Sequence, residues 1–290
     1  MQQKKLILVT GANGLLGHSL LKGLCEISNV HALVRAMPED PVPKVDYQVI
    51  DLGGAWHAEE LPRGVDVVIH LAQSNNFRNF PGQAMDVFNI NVGSTAKLLD
   101  FSCKSGVEKF FYASSGGVYG SGEAIFKEDF PVSPYEKLGY YLASKVCGEA
   151  LVKSYAEIIQ TVVLRPFFIY GQRQNRTMLI PRLVDSIKNK NSISLQGDNG
   201  ICINPIYVSD AVDAIKSAIK TEKSATFNIA GPEVLSLRDI CDIIGRQLGI
   251  KPIYEVQNKA PNNLVGDISL MKEALLDPKV RLDEGIRDLI

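Results

Sequence analysis

Little in this chain points to a specialised environment. It has one tryptophan, Trp56, and four scattered histidines, His18, His31, His57 and His70. No ligand spacing links them, so no metal site is expected. Five cysteines, Cys25, Cys103, Cys147, Cys202 and Cys241, are odd in number and far apart. They form no metal-ligand pattern, and core packing in a reducing cytosol is their expected role. No apolar run approaches the ~20 residues that span a bilayer. Met1-Gln2-Gln3-Lys4-Lys5 leads straight into an apolar strand, so no signal peptide and a cytoplasmic setting are expected. With 31 basic and 32 acidic residues the formal charge is −1. Neither sign is in excess, so nucleic acid and membrane surfaces are not expected partners. Repeats and low-complexity tracts are absent as well.

What is present is a core-forming α/β pattern. The chain has 290 residues, 46% of them hydrophobic, enough for one large α/β domain or a large and a small one. It is organised around Thr10-Gly11-Ala12-Asn13-Gly14-Leu15-Leu16-Gly17, between the apolar run Leu6–Val9 and a helical pattern. Gly11 permits a tight turn, Gly14 lets backbone approach a pyrophosphate, and Gly17 lets the helix pack on the strand. The helix start offers free N–H groups and a positive dipole end to phosphates. A plain strand–turn–helix corner can carry the same glycines, but the strand before and the helix after are the context a dinucleotide site requires.

Apolar runs over 30–34, 47–50, 65–72, 110–114 and 161–165 predict further strands. Helical patterns over 89–104 and 137–156 separate the later ones. This is the signature of a doubly wound parallel sheet with helices on both faces, a Rossmann-type α/β fold. After about residue 172 the pattern shortens. It predicts a helix over 179–188, strands over 193–195 and 203–208, a helix at 211–220 capped by Ser209-Asp210, a strand over 227–231, and a helix from a Ser236 cap to 248. The expected division is therefore 1–172 for dinucleotide binding and 173–290 as a small C-terminal substrate subdomain. Part of the latter returns to the main sheet, with a cleft between the two.

The end of the second strand selects the dinucleotide. Arg35 stands there, and arginine suits a 2′-phosphate through its planar fork of donors. NADP is thus favoured over NAD. Asp51, ending the third strand, is placed to accept from the adenine amine.

Tyr141-Leu142-Ala143-Ser144-Lys145 carries the chemistry. Residues four apart share a helix face, so Tyr141 and Lys145 point together. A neighbouring ammonium is expected to lower the tyrosine pKa from about 10, so that Tyr141 exchanges a proton with an alcohol or carbonyl. Lys145 is also placed to hold the nicotinamide ribose. Ser115, ending the fifth strand, is placed to hydrogen-bond the same substrate oxygen.

In these stretches the chain resembles an extended short-chain dehydrogenase/reductase of the NAD(P)-dependent epimerase/dehydratase family. Asp51-Leu52, His70-Leu71-Ala72, Asn91–Thr95, Ser114–Gly120, Leu164–Phe167, Val208–Asp210 and Leu282–Ile286 carry the resemblance further, over nearly the whole chain. It implies a catalytic trio of Ser115, Tyr141 and Lys145. It implies cofactor contacts at Gly11, Asn13, Gly14, Leu15, Gly17, Arg35, Asp51, Leu52, Leu71, Ala72 and Lys145. It also implies a nucleotide-sugar substrate and a homodimer formed through a four-helix bundle.

Departures from the family pattern narrow the reaction. The Asp-Glu pair of the family's dehydratases is replaced by Gly116-Gly117, so dehydration is not expected. Phe168 stands where an asparagine often helps hold the sugar diphosphate, and Ile203 and Leu264 stand where arginines do. Arg173, Arg176 and Arg182 are candidate substitutes, and Gln73 and Asn75 are candidate partners for sugar hydroxyls. The leading expectation is an NAD(P)-dependent nucleotide-sugar epimerase that oxidises a ring hydroxyl transiently. The alternatives are an NADP-dependent reductase of a keto-deoxy nucleotide sugar or another carbonyl, and a non-catalytic dinucleotide-binding regulator.

Overall fold

The apolar run of β1 (Leu6–Thr10) is almost completely buried because strands flank it on both sides. In the computed structural model, which describes residues 4–290, the chain alternates from there. It runs through α1 (Leu15–Leu24), β2 (Asn29–Val34), β3 (Val45–Val49), β4 (Val67–His70), α2 (Ala84–Phe88), α3 (Ser94–Lys104) and β5 (Lys109–Ala113). Then come β6 (Ile125–Phe126), α4 (Tyr135–Ser154) and β7 (Gln160–Pro166). The later part holds α5 (Leu179–Lys188), β8 (Ser192–Gln196), β9 (Cys202–Ile203), α6 (Val208–Ala218), β10 (Ala225–Ile229), β11 (Leu235–Ser236) and α7 (Leu237–Leu248). It ends with β12 (Ile253–Gln257), β13 (Val265–Gly266) and two short helices, α8 (Ser269–Ala274) and α9 (Leu282–Gly285). Met1–Gln3, which enter the expectation about a leader, lie outside the described residues.

Seven strands form one parallel sheet in the order β10-β7-β5-β4-β1-β2-β3. The order reverses between β1 and β4, which opens a crevice at their C-terminal ends. One apolar cluster joins β1, α1 and α6 on one face; another joins β5, α3 and α4 on the other. A third gathers α5, α7 and β8 beyond the sheet. Among the described residues no helix is long and apolar enough to cross a membrane.

Several local expectations change. The predicted helix over 89–104 is a π-turn at Asn89–Gly93 followed by α3, and α2 runs into it from before the predicted start. The turn carries Asn91, whose amide accepts from the Ser74 N–H and donates to Ser144 Oγ, both at 2.9 Å. Gly139 interrupts α4 with φ +67, so Tyr141 opens the regular part of that helix. The predicted strand over 203–208 shrinks to β9, because Pro205 has no N–H to give and Asn204 bonds Gly266 instead. Ser209 and Asp210 lie inside α6, not at its cap; Asp210 accepts from the Lys279 and Val280 N–H groups. Ser236 does cap α7, in a reciprocal box with Asp239. Core packing holds for Cys25 and Cys241, whereas Cys103 and Cys147 are exposed on outward faces of α3 and α4.

Candidate active site

A cavity of about 670 Å³ fills the crevice. Its floor is the turn after β1. Gly11 has φ +68, and a Cβ there would lie 2.7 Å from the Ala72 nitrogen. A Cβ on Gly17 would collide with the Gly11 carbonyl. Only glycine fits either place, and the result is a backbone cradle at the start of α1. Gly11, Asn13, Gly14, Leu15, Gly17, Arg35, Asp51, Leu52, Leu71 and Ala72 all line the cavity. Asn13 donates to the Ala36 carbonyl at 2.7 Å, which joins the cradle to the end of β2. These residues fit a dinucleotide: a phosphate cradle, an arginine at the ribose end and a carboxylate beyond it.

Beneath the floor, His70 ties the ends of the paired strands β1 and β4 together. Burial, aided by the Lys145 charge, pulls its pKa down to about 3, so the ring is neutral. Thr10 accepts from the Ala72 N–H (3.1 Å) and donates to His70 Nδ1 (2.7 Å). His70 Nε2 then donates to Thr95 (3.0 Å).

At the other end, Ser115, Tyr141 and Gln73 face the same space. The Ser115 oxygen accepts from the Gly117 N–H at 3.1 Å, which leaves its hydroxyl proton to donate. The Tyr141 hydroxyl donates to Gln73 Oε1 at 2.8 Å. Lys145 sits behind them, fully buried, with Nζ 5.9 Å from the Tyr141 ring centre and 2.8 Å from the Ala113 carbonyl. Burial pulls its ammonium down to about 7 and pushes the Tyr141 phenol above its ordinary range. The expected lowering of Tyr141 by Lys145 is thus reversed in the protein alone. An ammonium near its own midpoint and almost 6 Å away does not outweigh desolvation.

The structure separates the substrate candidates. Gln73, Asn75 and Phe168 line the cavity. Arg176 does not: it pairs with Asp185 and bonds the Leu289 carbonyl. Arg182 is exposed on α5, away from the lining. Arg173 faces a second, smaller cavity beside the phosphate turn. The rest of the lining includes Phe77, Phe167, Phe168, Met178 and Leu264; Phe168 and Leu264 are among the uncharged replacements noted in the sequence, and the third, Ile203, is buried outside this lining. Phe168 holds φ +47, a backbone position that asparagine tolerates and phenylalanine rarely takes. The ring of Phe167 fills the space at Gly116, where a Cβ would come within 2.7 Å of it.

A buried network supports the trio from below. Glu149, one turn beyond Lys145, accepts from Ser114 (2.6 Å) and from Arg165 Nε (2.9 Å) and Nη2 (2.6 Å). Burial opposes the Glu149 charge, but the hydrogen bonds and charge of Arg165 more than offset it, and its pKa ends below the usual carboxylate value. Arg165 also donates to Tyr119 (2.7 Å). Among the described residues no group of three or more His, Cys, Asp or Glu is placed to hold a metal ion.

Comparison with known proteins places this geometry among relatives. The family described as NAD dependent epimerase/dehydratase matches residues 7–230. The uncharacterized UDP-glucose epimerase YtcB of Bacillus subtilis is 29% identical, over 79% of this chain and 75% of its own. The dTDP-4-dehydro-6-deoxyglucose reductase of Escherichia coli is 28% identical, over 99% and 97%. Dehydratases are also among the relatives, such as the dTDP-glucose 4,6-dehydratase of Streptomyces griseus at 26%, over 97% and 91%. The crystal structure of UDP-glucuronic acid 4-epimerase from Bacillus cereus, in complex with UDP-glucuronic acid and NAD, superposes with a TM-score of 0.85. It is 25% identical, and the match covers 98% of this chain and 97% of that one.

Proposed function

The chain belongs to the NAD dependent epimerase/dehydratase family, and from that premise we propose that it epimerises a nucleotide sugar by transient oxidation of a ring hydroxyl. The observation that carries this reading is the convergence of Ser115 and Tyr141 on one cavity wall, with Lys145 buried behind them. Ser115 donates to the reacting oxygen and orients it. Tyr141 exchanges the hydroxyl proton, leaving Gln73 for the substrate. Lys145 supports the phenol and reaches the nicotinamide ribose. NAD, when bound, supplies the hydride acceptor and a positive charge that favours the phenolate. The cradle at Gly11–Gly17, with Arg35, Asp51, Leu52, Leu71 and Ala72, holds the dinucleotide.

Elimination of water is not part of this reading. Gly116 and Gly117 carry no carboxylate, and Phe167 fills the space one would need. The sugar lies against Gln73, Asn75 and Phe168. Two copies pair through α2–α4, where Met85, Phe88 and Tyr135 are exposed; light scattering reads that out. Five free thiols suit a reducing cytosol.

Arg35 favours a second reading, an NADP-dependent reductase, because NADPH is typically the exchangeable reductant. One experiment separates the two. UDP-sugars are incubated with catalytic NAD, and 4-keto-6-deoxy nucleotide sugars with stoichiometric NADPH, following nicotinamide absorbance and sugar stereochemistry. Inversion without net cofactor consumption supports the epimerase; stoichiometric NADPH loss overturns it. Parallel titration with NAD and NADP tests Arg35.

A further inference from the structure

The segment after β7 holds an arginine that the proton-transfer chemistry does not use. Arg173 has φ +71, a conformation that a residue with a side chain keeps only where its surroundings enforce it. That turn carries the guanidinium to the outer face of the phosphate cradle. Nη1 donates to His18 Nε2 at 3.1 Å and pairs with Asp40 at 3.1 Å. His18 lies on α1, and Asp40 lies in the loop after β2. His18 is buried, and its pKa is lowered by that burial and by Arg173. The ring is therefore neutral, and its Nε2 accepts.

Arg173 thus connects three segments far apart in sequence, all at the dinucleotide end. Together with His18 and Gln172 it lines a second cavity of about 300 Å³. Asn13, Gly14 and Leu15 line this cavity and the main one alike. The two spaces therefore meet at the phosphate turn, and the guanidinium stands beside it. Arg176 and Arg182 have no part in either space.

We propose that Arg173 is a cofactor-retaining residue: tethered by Asp40 and His18 across the phosphate turn, its guanidinium binds the pyrophosphate of the dinucleotide from the outer cavity. This rests on the dinucleotide reading above. A planar fork of donors suits a pyrophosphate. Retention also has a purpose, since an epimerase must keep its reduced cofactor until the hydride returns, whereas a reductase must exchange it.

The test uses ADP, which carries a pyrophosphate, and adenosine, which does not. Both are titrated against wild type, Arg173→Ala, Arg173→Lys and Asp40→Asn. Release of bound NADH is followed by fluorescence during a chase with excess NAD. Arg173→Ala should weaken ADP about tenfold and speed NADH release about as much, with adenosine unchanged. Arg173→Lys should recover part of the loss, and Asp40→Asn should speed release by a smaller factor. Wild-type ADP affinity and release in Arg173→Ala overturns the proposal. Equal weakening of adenosine and ADP also overturns it, because the effect is then on the fold. If wild type binds neither ADP nor NADH, the dinucleotide reading itself fails, and that result is distinct from the others.

Discussion

The two ends of the main cavity are built on different terms. The cradle end is backbone: glycines at 11 and 17, held so closely that a single methyl group has no place. The opposite end is side chain: Phe77, Phe168, Met178 and Leu264, from four separate segments. Backbone contacts at one end constrain residue identity, because any Cβ is excluded. Apolar contacts at the other constrain only volume, because hydrophobic surfaces of similar size replace one another. On the function proposed above, one end is thus tied to a cofactor, and the other is free to diverge with the substrate.

The strongest way to break this contrast lies where the ends meet. Tyr141→Phe should lower kcat/KM by roughly 10²–10⁴ while NAD affinity stays unchanged. Steady-state kinetics beside a binding titration read this out, and retained turnover removes Tyr141 from proton transfer. At the cradle end, Gly17→Ala should cost about 1–3 kcal/mol in urea unfolding and weaken NAD severalfold. A silent substitution there would mean that the backbone contact is not a constraint.

A pH experiment sharpens the wall between the ends. The Lys145 ammonium falls from its ordinary 10.5 to about 7 on folding. Between those values the unfolded chain holds a proton that the folded chain has released, so stability rises with pH. The penalty is complete below pH 7 and fades as pH climbs toward 10.5. Wild type should therefore gain about 2 kcal/mol on Lys145→Met between pH 7 and pH 9. Parallel urea curves with no pH trend would show that the ammonium is not desolvated. The smallest effect belongs to the substrate end. Phe168→Asn exchanges lost apolar burial for relief at φ +47, so unfolding should change by less than about 1 kcal/mol. A larger loss would make Phe168 part of the core.

The same contrast explains what the sequence makes legible. The cradle can be read because its constraint is local: three glycines between a strand and a helix. Tyr141 and Lys145 can be read because four residues is a helical repeat. Glu149 and Arg165 cannot be paired in advance, because one lies on α4 and the other on β7, and only the packed sheet brings them within 2.6 Å. Arg173 looks like a substrate contact until the positive φ of its backbone turns it toward His18 and Asp40. Arg176 is spent on Asp185. Exposure of Cys103 and Cys147 escapes composition because cysteine is usually interior. The apolar wall is legible only in part: Phe168 and Leu264 show as uncharged replacements, whereas Phe77 and Met178 join them only when the folded chain brings these segments to one cavity.

The ring of Phe167 also has a consequence for substitution. It lies between Gly116 and Gly266, and a Cβ on either would come within 2.7 Å of it. The three positions are therefore locked together. A carboxylate cannot be gained at 116 while the ring stays, and the ring cannot shrink without opening a hole beside two glycines. Substitutions at 116, 167 and 266 are therefore expected to be tolerated together rather than singly, whatever changes accumulate on the rest of the wall.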